Sequence, residues 1–368
     1  MISPLRLLIC TPRFAPQVGG AETWTREIAA GLAARGHEVH VIARAAPGCE
    51  SDVAGPVSVH RVHGGRAAFT REVARAVLRM RPDVVLAQYS ALPPAVAAAR
   101  RAHVPSLGIV HDVYGAAERI RVNGVAGGLA RLVALERAPA VLAPDGFLVP
   151  SAATGRGLAR IARGRPVVVV PAGADHVAAC RSPVRDFARV VFVGRLVPQK
   201  GVEDLLRAMR IVRARRPDAH LTVIGDGPDG PRLRALAADL GTTVEFVGRV
   251  QDAVLDALVR GAGVLALPST REGWGLAVTE AAARGVAYVA YDVPAVREQH
   301  AQLRGGVLVE PDARALAGVL LELLDDPAAT AALGERGRIA AAGRKWADAA
   351  EIVEGSIAAV AAGRRRAS

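Results

Sequence analysis

The chain has 368 residues, of which 51% are hydrophobic and 22% charged, a balance that suits two ordinary domains or one large one and excludes a disordered or fibrous polymer. The net charge is +12, and 45 of the 47 basic residues are arginine; Lys200 and Lys345 are the two lysines. Residues 1–178 hold 21 Arg against 12 acidic residues, a net of +9, and residues 181–368 hold 26 basic against 23 acidic, a net of +3. Such a field attracts anions: nucleic acid, anionic lipid or a phosphorylated substrate. The arginines are scattered and no aromatics cluster for base stacking, so nucleic acid is not expected as a partner.

Short apolar runs alternate with helical patterns along the chain. Leu5–Cys10, Glu38–Ala43, Val57–Val62, Val84–Gln88, Ser106–Val110, Gly146–Val149 and Val167–Val170 read as strands. Thr23–Arg35, Thr70–Arg79, Pro94–Arg101 and Thr154–Ile161 read as helices between them. The pattern pauses near Val177–Pro183 and restarts. Strands at Arg189–Val193, His220–Ile224, Val244–Val247, Val264–Leu267 and Ala287–Ala290 alternate with helices at Val202–Arg215, Gly230–Asp239, Ala253–Gly261 and Leu276–Ala283. A last helix is expected from Trp346 to about Ala361. This alternation predicts an α/β chain of two doubly wound, Rossmann-like parallel sheets facing each other across a cleft. The expected boundaries are 1–178, 185–345 and a C-terminal helix within 346–368. Ligands of such sheets bind at the carboxyl ends of strands.

Three cysteines, Cys10, Cys49 and Cys180, stand far apart without disulfide or metal spacing. The first apolar stretch is too short for a signal-peptide core, and no run of about 18 apolar residues suggests a membrane span. A cytoplasmic protein is the expectation, with reversible docking on the inner face of an anionic membrane compatible with its basic front half.

Three stretches carry chemistry. In Pro268–Ala281 (PSTREGWGLAVTEA), Glu272 and Glu280 flank the Gly273-Trp274-Gly275 turn, which follows a strand and opens a helix at Leu276. Glycines admit a ligand close to the backbone, free amides favour an anion, and a carboxylate can accept from paired sugar hydroxyls. The competing reading is a capped turn with Glu280 complementing the helix dipole. In Phe192–Gly201 (FVGRLVPQKG), Arg195 and Lys200 bracket a strand-to-helix loop after Gly194. Two cations there can hold a diphosphate and stabilise its leaving charge; a solvated helix start is the plainer alternative. In Phe14–Glu22, the pair Gly19-Gly20 lets amides approach a phosphate, though most such pairs are ordinary turns.

These stretches together resemble the family 4 glycosyltransferases, retaining enzymes of the GT-B fold, over nearly the whole chain. The resemblance extends to Ala33–Val39, Val110-His111-Asp112, Pro171–Asp175, Ile224–Pro228 and Phe246–Val250. Ala172 stands where the family has Asn, and Trp274 where Phe is commoner. The resemblance implies that Arg195 and Lys200 hold the diphosphate of a nucleotide-sugar donor and that Glu280 binds its ribose. It implies that Glu272, with the backbone of Gly273, Trp274, Gly275 and Leu276, holds the sugar, and that Val250 packs near the base. Gly19, Gly20 and Gly194 would approach the donor, and His111 would sit beside the donor sugar and the acceptor. The implied reaction moves a hexose from a UDP- or GDP-sugar to a hydroxyl of a glycan, a lipid-linked or a small-molecule acceptor, without metal or cofactor. Arg119, Arg121 and Gly124–Gly128 suggest a basic acceptor lip. A nucleotide-sugar epimerase or hydrolase of the same fold is the nearest alternative. A dinucleotide oxidoreductase is disfavoured, because the first turn breaks the Gly-x-Gly-x-x-Gly pattern.

Overall fold

A computed structural model describes residues 3–45, 53–54, 56–113, 143–177 and 184–365. Cys49, Cys180 and the suggested acceptor lip at 119–128 lie outside the described residues. The chain divides into two compact units, residues 1–172 with 346–368, and residues 173–345.

The first unit is built on β1 (Arg6–Cys10), β2 (Glu38–Arg44), β3 (Val53–Ala54), β4 (Val57–Val62), β5 (Val84–Gln88), β6 (Ser106–Ile109), β7 (Gly146–Val149) and β8 (Val167–Val169). The sheet runs β3-β4-β2-β1-β5-β6-β7-β8 and is parallel except for β3, a two-residue antiparallel partner of β4 that the sequence pattern does not announce. The central strands are buried on both faces, which explains their near-continuous apolar runs. Helices α1 (Gly20–Ala34), α2 (Arg66–Met80), α3 (Leu92–Arg101) and α4 (Ala152–Ala159) follow β1, β4, β5 and β7. Leu8, Cys10 and Ile42 from the sheet pack with Phe69, Val73, Val77 and Val96 from α2 and α3. Burial pushes the Cys10 thiol far above its ordinary pKa, so it is an inert core residue.

The second unit holds β9 (Asp186–Val193), β10 (His220–Ile224), β11 (Val244–Gly248), β12 (Ala262–Leu267), β13 (Ala287–Tyr291) and β14 (Gly306–Val309). Their order is β11-β10-β9-β12-β13-β14, all parallel. The helices are α5 (Val202–Arg215), α6 (Gly230–Asp239), α7 (Asp252–Arg260), α8 (Leu276–Ala283), α9 (Pro294–Leu303), α10 (Ala313–Asp325) and α11 (Pro327–Ala342). The last helix, α12 (Trp346–Arg365), belongs to the first unit and packs along α1. A Cβ on Gly31 would stand 2.6 Å from the Ala350 Cβ, so glycine is what lets these two helices approach.

The boundary near residue 172 has a local cause. The Val170 carbonyl accepts from the Trp24 indole at 3.4 Å, within the first unit, whereas the Ala174 amide donates to the Arg344 carbonyl at 2.9 Å, within the second. Among the described residues, no helix is long and apolar enough to cross a membrane.

Candidate active site

Each sheet has one place where strand order reverses. In the second unit the chain adds β10 and β11 on one side of β9, then returns to add β12, β13 and β14 on the other. The loops after β9 and β12 therefore leave neighbouring strands in opposite directions, and a crevice forms at their carboxyl ends. These two loops carry the Arg195–Lys200 and Glu272–Gly275 motifs.

The loops are locked by backbone geometry. After β9, residues Pro198–Lys200 form one 3-10 turn, and Gly201 closes it at φ 66°. A Cβ on Gly201 would meet the Pro268 carbonyl oxygen at 1.9 Å, so both the left-handed backbone and the space demand glycine. Thr270 donates from its amide to the Gln199 carbonyl at 3.0 Å. The consequence is that Lys200 Nζ lies 2.5 Å from Glu272 Oε1. Arg195 is exposed and makes no side-chain ion pair or hydrogen bond among the described residues. The site thus offers one uncommitted cation and one cation neutralised by a carboxylate.

The start of α8 is also fixed from behind. Gly275 adopts φ 91°. The buried Gln299 on α9 donates its amide to the Gly275 carbonyl at 3.2 Å and to Thr279 Oγ1 at 2.5 Å. The Trp274 indole is buried, donates to the same Thr279 oxygen at 3.1 Å, and lies under the Arg344 guanidinium, 4.9 Å from its centroid. Its side chain is thus taken up by packing within the second unit.

Glu280 stands on α8, with Oε1 3.1 Å from His176 Nε2 and Oε2 3.9 Å from Arg284 Nη1. Gly194 donates to the Ile224 carbonyl at 3.0 Å, and Val250 packs partly buried against the core just before α7.

The reversal in the first unit lies between β1 and β5. There the buried Gln88, last residue of β5, donates to Thr11 Oγ1 at 2.5 Å and to Thr25 Oγ1 at 3.0 Å. Both amide hydrogens being directed at hydroxyls, Oε1 is its acceptor, and it stands 2.6 Å from His111 Nε2. His111 Nε2 therefore carries the ring hydrogen, and Nδ1 is the ring's acceptor. The imidazole meets Trp24 edge-on at 5.4 Å and stacks on Tyr89 at 5.6 Å between centroids. Burial pushes its pKa down to about 4, which keeps it neutral near pH 7.

Gly19 and Gly20 lie where β1 gives way to α1. A Cβ on Gly19 would stand 2.3 Å from Glu22 Oε2, and Glu22 is 3.7 Å from Arg13. The helix start thus carries a carboxylate beside its free amides, a neighbour that the Gly-Gly reading does not foresee. Among the described residues, no group of three His, Cys, Asp or Glu is placed to hold a metal ion. Sequence reasoning passes over Gln88, Thr11, Thr279, Gln299 and His176. For Gln88 a signal exists: a single amide ending the otherwise apolar strand VVLAQ.

Comparison with known proteins agrees with this architecture. Glycosyl transferases group 1 matches residues 183–343, and Glycosyltransferase Family 4 matches residues 18–178. A glycogen synthase of Mycobacterium tuberculosis is 30% identical, covering 88% of this chain and 87% of its own. A GDP-mannose-dependent alpha-mannosyltransferase of Mycolicibacterium smegmatis is 32% identical, covering 84% and 85%. The solved sucrose-phosphate synthase of Thermosynechococcus elongatus superposes with a TM-score of 0.79 at 21% identity, covering 97% of this chain and 99% of its own.

Proposed function

The chain belongs to the family 4 glycosyltransferases, and from that premise we propose that it transfers a hexose, with retained anomeric configuration, from a UDP- or GDP-sugar to an acceptor hydroxyl. The observation that carries this reading is the pairing of Lys200 with Glu272 at the strand-order reversal of the second unit, on a loop that also carries the exposed Arg195. Arg195 and Lys200 bind the diphosphate. Glu272 and the amides of residues 273–276 hold the sugar, and Glu280 accepts from the ribose hydroxyls. Gly194 allows the close approach of the phosphates, and Val250 packs beside the base. In the first unit, Gly19 and Gly20 approach the distal phosphate, and neutral His111 contacts the sugar or acceptor.

In the reacting complex the bond from the anomeric carbon to the β-phosphate oxygen breaks. The acceptor oxygen bonds to that carbon on the same face, and its proton passes to the departing phosphate. Negative charge grows on the diphosphate as the bond breaks, so cations aimed at it stabilise the transition state more than the ground state. When the diphosphate takes Lys200, Glu272 is released to accept sugar hydroxyls. The two cations supply the charge neutralisation, and activity is expected to persist in excess chelator. The basic first half suits an anionic or lipid-linked acceptor and reversible attachment to an anionic membrane.

The test is a binding screen by thermal shift against UDP-, GDP-, ADP- and dTDP-sugars, followed by NMR of the product anomer. Binding of a UDP- or GDP-sugar with a retained product supports the reading. An inverted product, no bound nucleotide sugar, or rapid turnover of donor without acceptor defeats it.

A further inference from the structure

We infer that His176 is a positioning residue for nucleotide recognition, holding Glu280 in the orientation that receives the ribose diol. This rests on the reading of Glu280 as the ribose-binding carboxylate. His176 comes from the segment entering the second unit, before β9, and is 104 residues from Glu280 in sequence. Its side chain is 11% exposed and that of Glu280 19%. A carboxylate accepts and cannot donate, so the 3.1 Å contact requires the hydrogen to sit on His176 Nε2. The bond therefore survives in the neutral ring.

The guanidinium that faces the other carboxylate oxygen is fixed independently. Arg284 donates from Nη1 to the Glu280 carbonyl at 3.1 Å and from Nε to Asp256 Oδ1 at 2.9 Å. Asp256 Oδ2 accepts from Arg260 Nε at 2.7 Å. Arg284 and Arg260 are both buried. The guanidinium near Oε2 is thus held by α7 and by the end of α8, while His176 holds Oε1. A carboxylate has about four lone-pair sites. His176 uses one, and Arg284 at 3.9 Å supplies field without a hydrogen bond. Acceptor capacity remains for two vicinal hydroxyls. Without His176 the side chain regains rotamer freedom, and that freedom must be lost again when the diol binds.

The experiment compares two affinities in one protein. Dissociation constants are measured by calorimetry for UDP and GDP, and then for the 2′-deoxy form of whichever binds more tightly. A hydrogen bond to a charged group sets a preference of about tenfold or more for the ribonucleotide in the unaltered protein. In His176→Ala the preference is expected to fall below about threefold, and in His176→Gln, which retains a donor, to recover in part. A bracing role for His176 alone would weaken both nucleotides by one factor and leave their ratio unchanged, and that result overturns the proposal. If Glu280→Gln loses the preference while His176→Ala keeps it, Glu280 stands and His176 falls. If the unaltered protein binds nucleoside diphosphate without preference, the ribose role of Glu280 is wrong and the inference falls with it.

Discussion

Lys200 Nζ and Glu272 Oε1 lie 2.5 Å apart, although 72 residues separate them. The contact is a product of sheet order. β9 and β12 are adjacent, so the first turn after one meets the first turn after the other. The lysine side chain is 23% exposed and the glutamate 9%, so neither is fully solvated. Each charge compensates the other until a more highly charged anion arrives. Removing one member leaves a partly desolvated partner, at a cost that the pair itself does not impose.

Lys200→Ala is expected to cut turnover about 10²- to 10³-fold, the loss typical of one preorganised group facing transition-state charge. Arg195→Ala is expected to lower turnover too, with little change in melting temperature because Arg195 is exposed. Steady-state kinetics with matched thermal melts check both. Near-normal turnover in the two variants removes these side chains from the mechanism.

Gly201→Ala tests the loop lock without touching a charge. The new methyl would meet the Pro268 carbonyl oxygen at 1.9 Å in a left-handed backbone. The chain must separate the two loops, at a cost of about 3 kcal/mol or more. Activity is expected to fall with stability, since the separation also breaks the Lys200–Glu272 contact. A melting temperature within a degree of the parent's would show that the loops are not held by this approach.

How far the sequence discloses these features depends on range. Val57–Val62, Val84–Gln88 and His220–Ile224 are strands with the expected bounds: VVLAQ is a buried parallel strand and writes itself as an apolar run, HLTVI is buried after its first residue, and VSVHRV, half exposed, starts with the alternation of a one-sided strand. α11 is different. It buries Gly334 and Gly337 rather than an apolar stripe. A Cβ on Gly334 would meet the Gly285 carbonyl oxygen at 2.1 Å, so its packing rests on small residues that periodicity does not register. The site motifs are legible as local strand–loop–helix signatures. The meeting of Lys200 with Glu272 needs the strand order, and that of His176 with Glu280 needs the path of the segment before β9. For Trp274 the motif speaks only to the backbone; that its indole packs inward under Arg344 is visible in the structure alone.

Beside the close approach of α12 to α1 at Gly31, Glu354 ties α12 to the residues that follow α1. Its Oε2 accepts from Arg35 Nη2 at 2.5 Å and Nε at 2.9 Å, and its Oε1 from His37 Nε2 at 3.1 Å. His37 Nδ1 accepts from the Leu5 amide, which puts the ring hydrogen on Nε2. Arg35, and then His37, hold the Glu354 carboxyl below its ordinary range. The pair's contribution is therefore present above the ordinary carboxylate pKa and is lost as pH falls through the depressed one. Glu354→Ala is expected to lower the melting temperature by on the order of 5 °C at pH 7 and to speed amide exchange in α12. Unchanged exchange there would refute the anchoring role.

His111 gives a pH signature of its own. Its folded pKa is pushed down to about 4 by burial, against an ordinary 6.5. Above pH 6.5 the ring is neutral in both folded and unfolded chains. Between 6.5 and 4 the unfolded chain takes a proton that the folded chain refuses, so stability falls with pH. The loss across that window is about 3 kcal/mol, and below pH 4 the slope from this group vanishes. His111→Gln should flatten that part of the stability curve, measured by urea unfolding at a series of pH values. The same ring cannot supply an ionisation near 6.5 to the rate profile, because it is already neutral there. Any limb near that pH should therefore persist in His111→Gln at lower overall activity. A limb near 6.5 that disappears in the variant would mean that His111 titrates normally and acts as an acid or base.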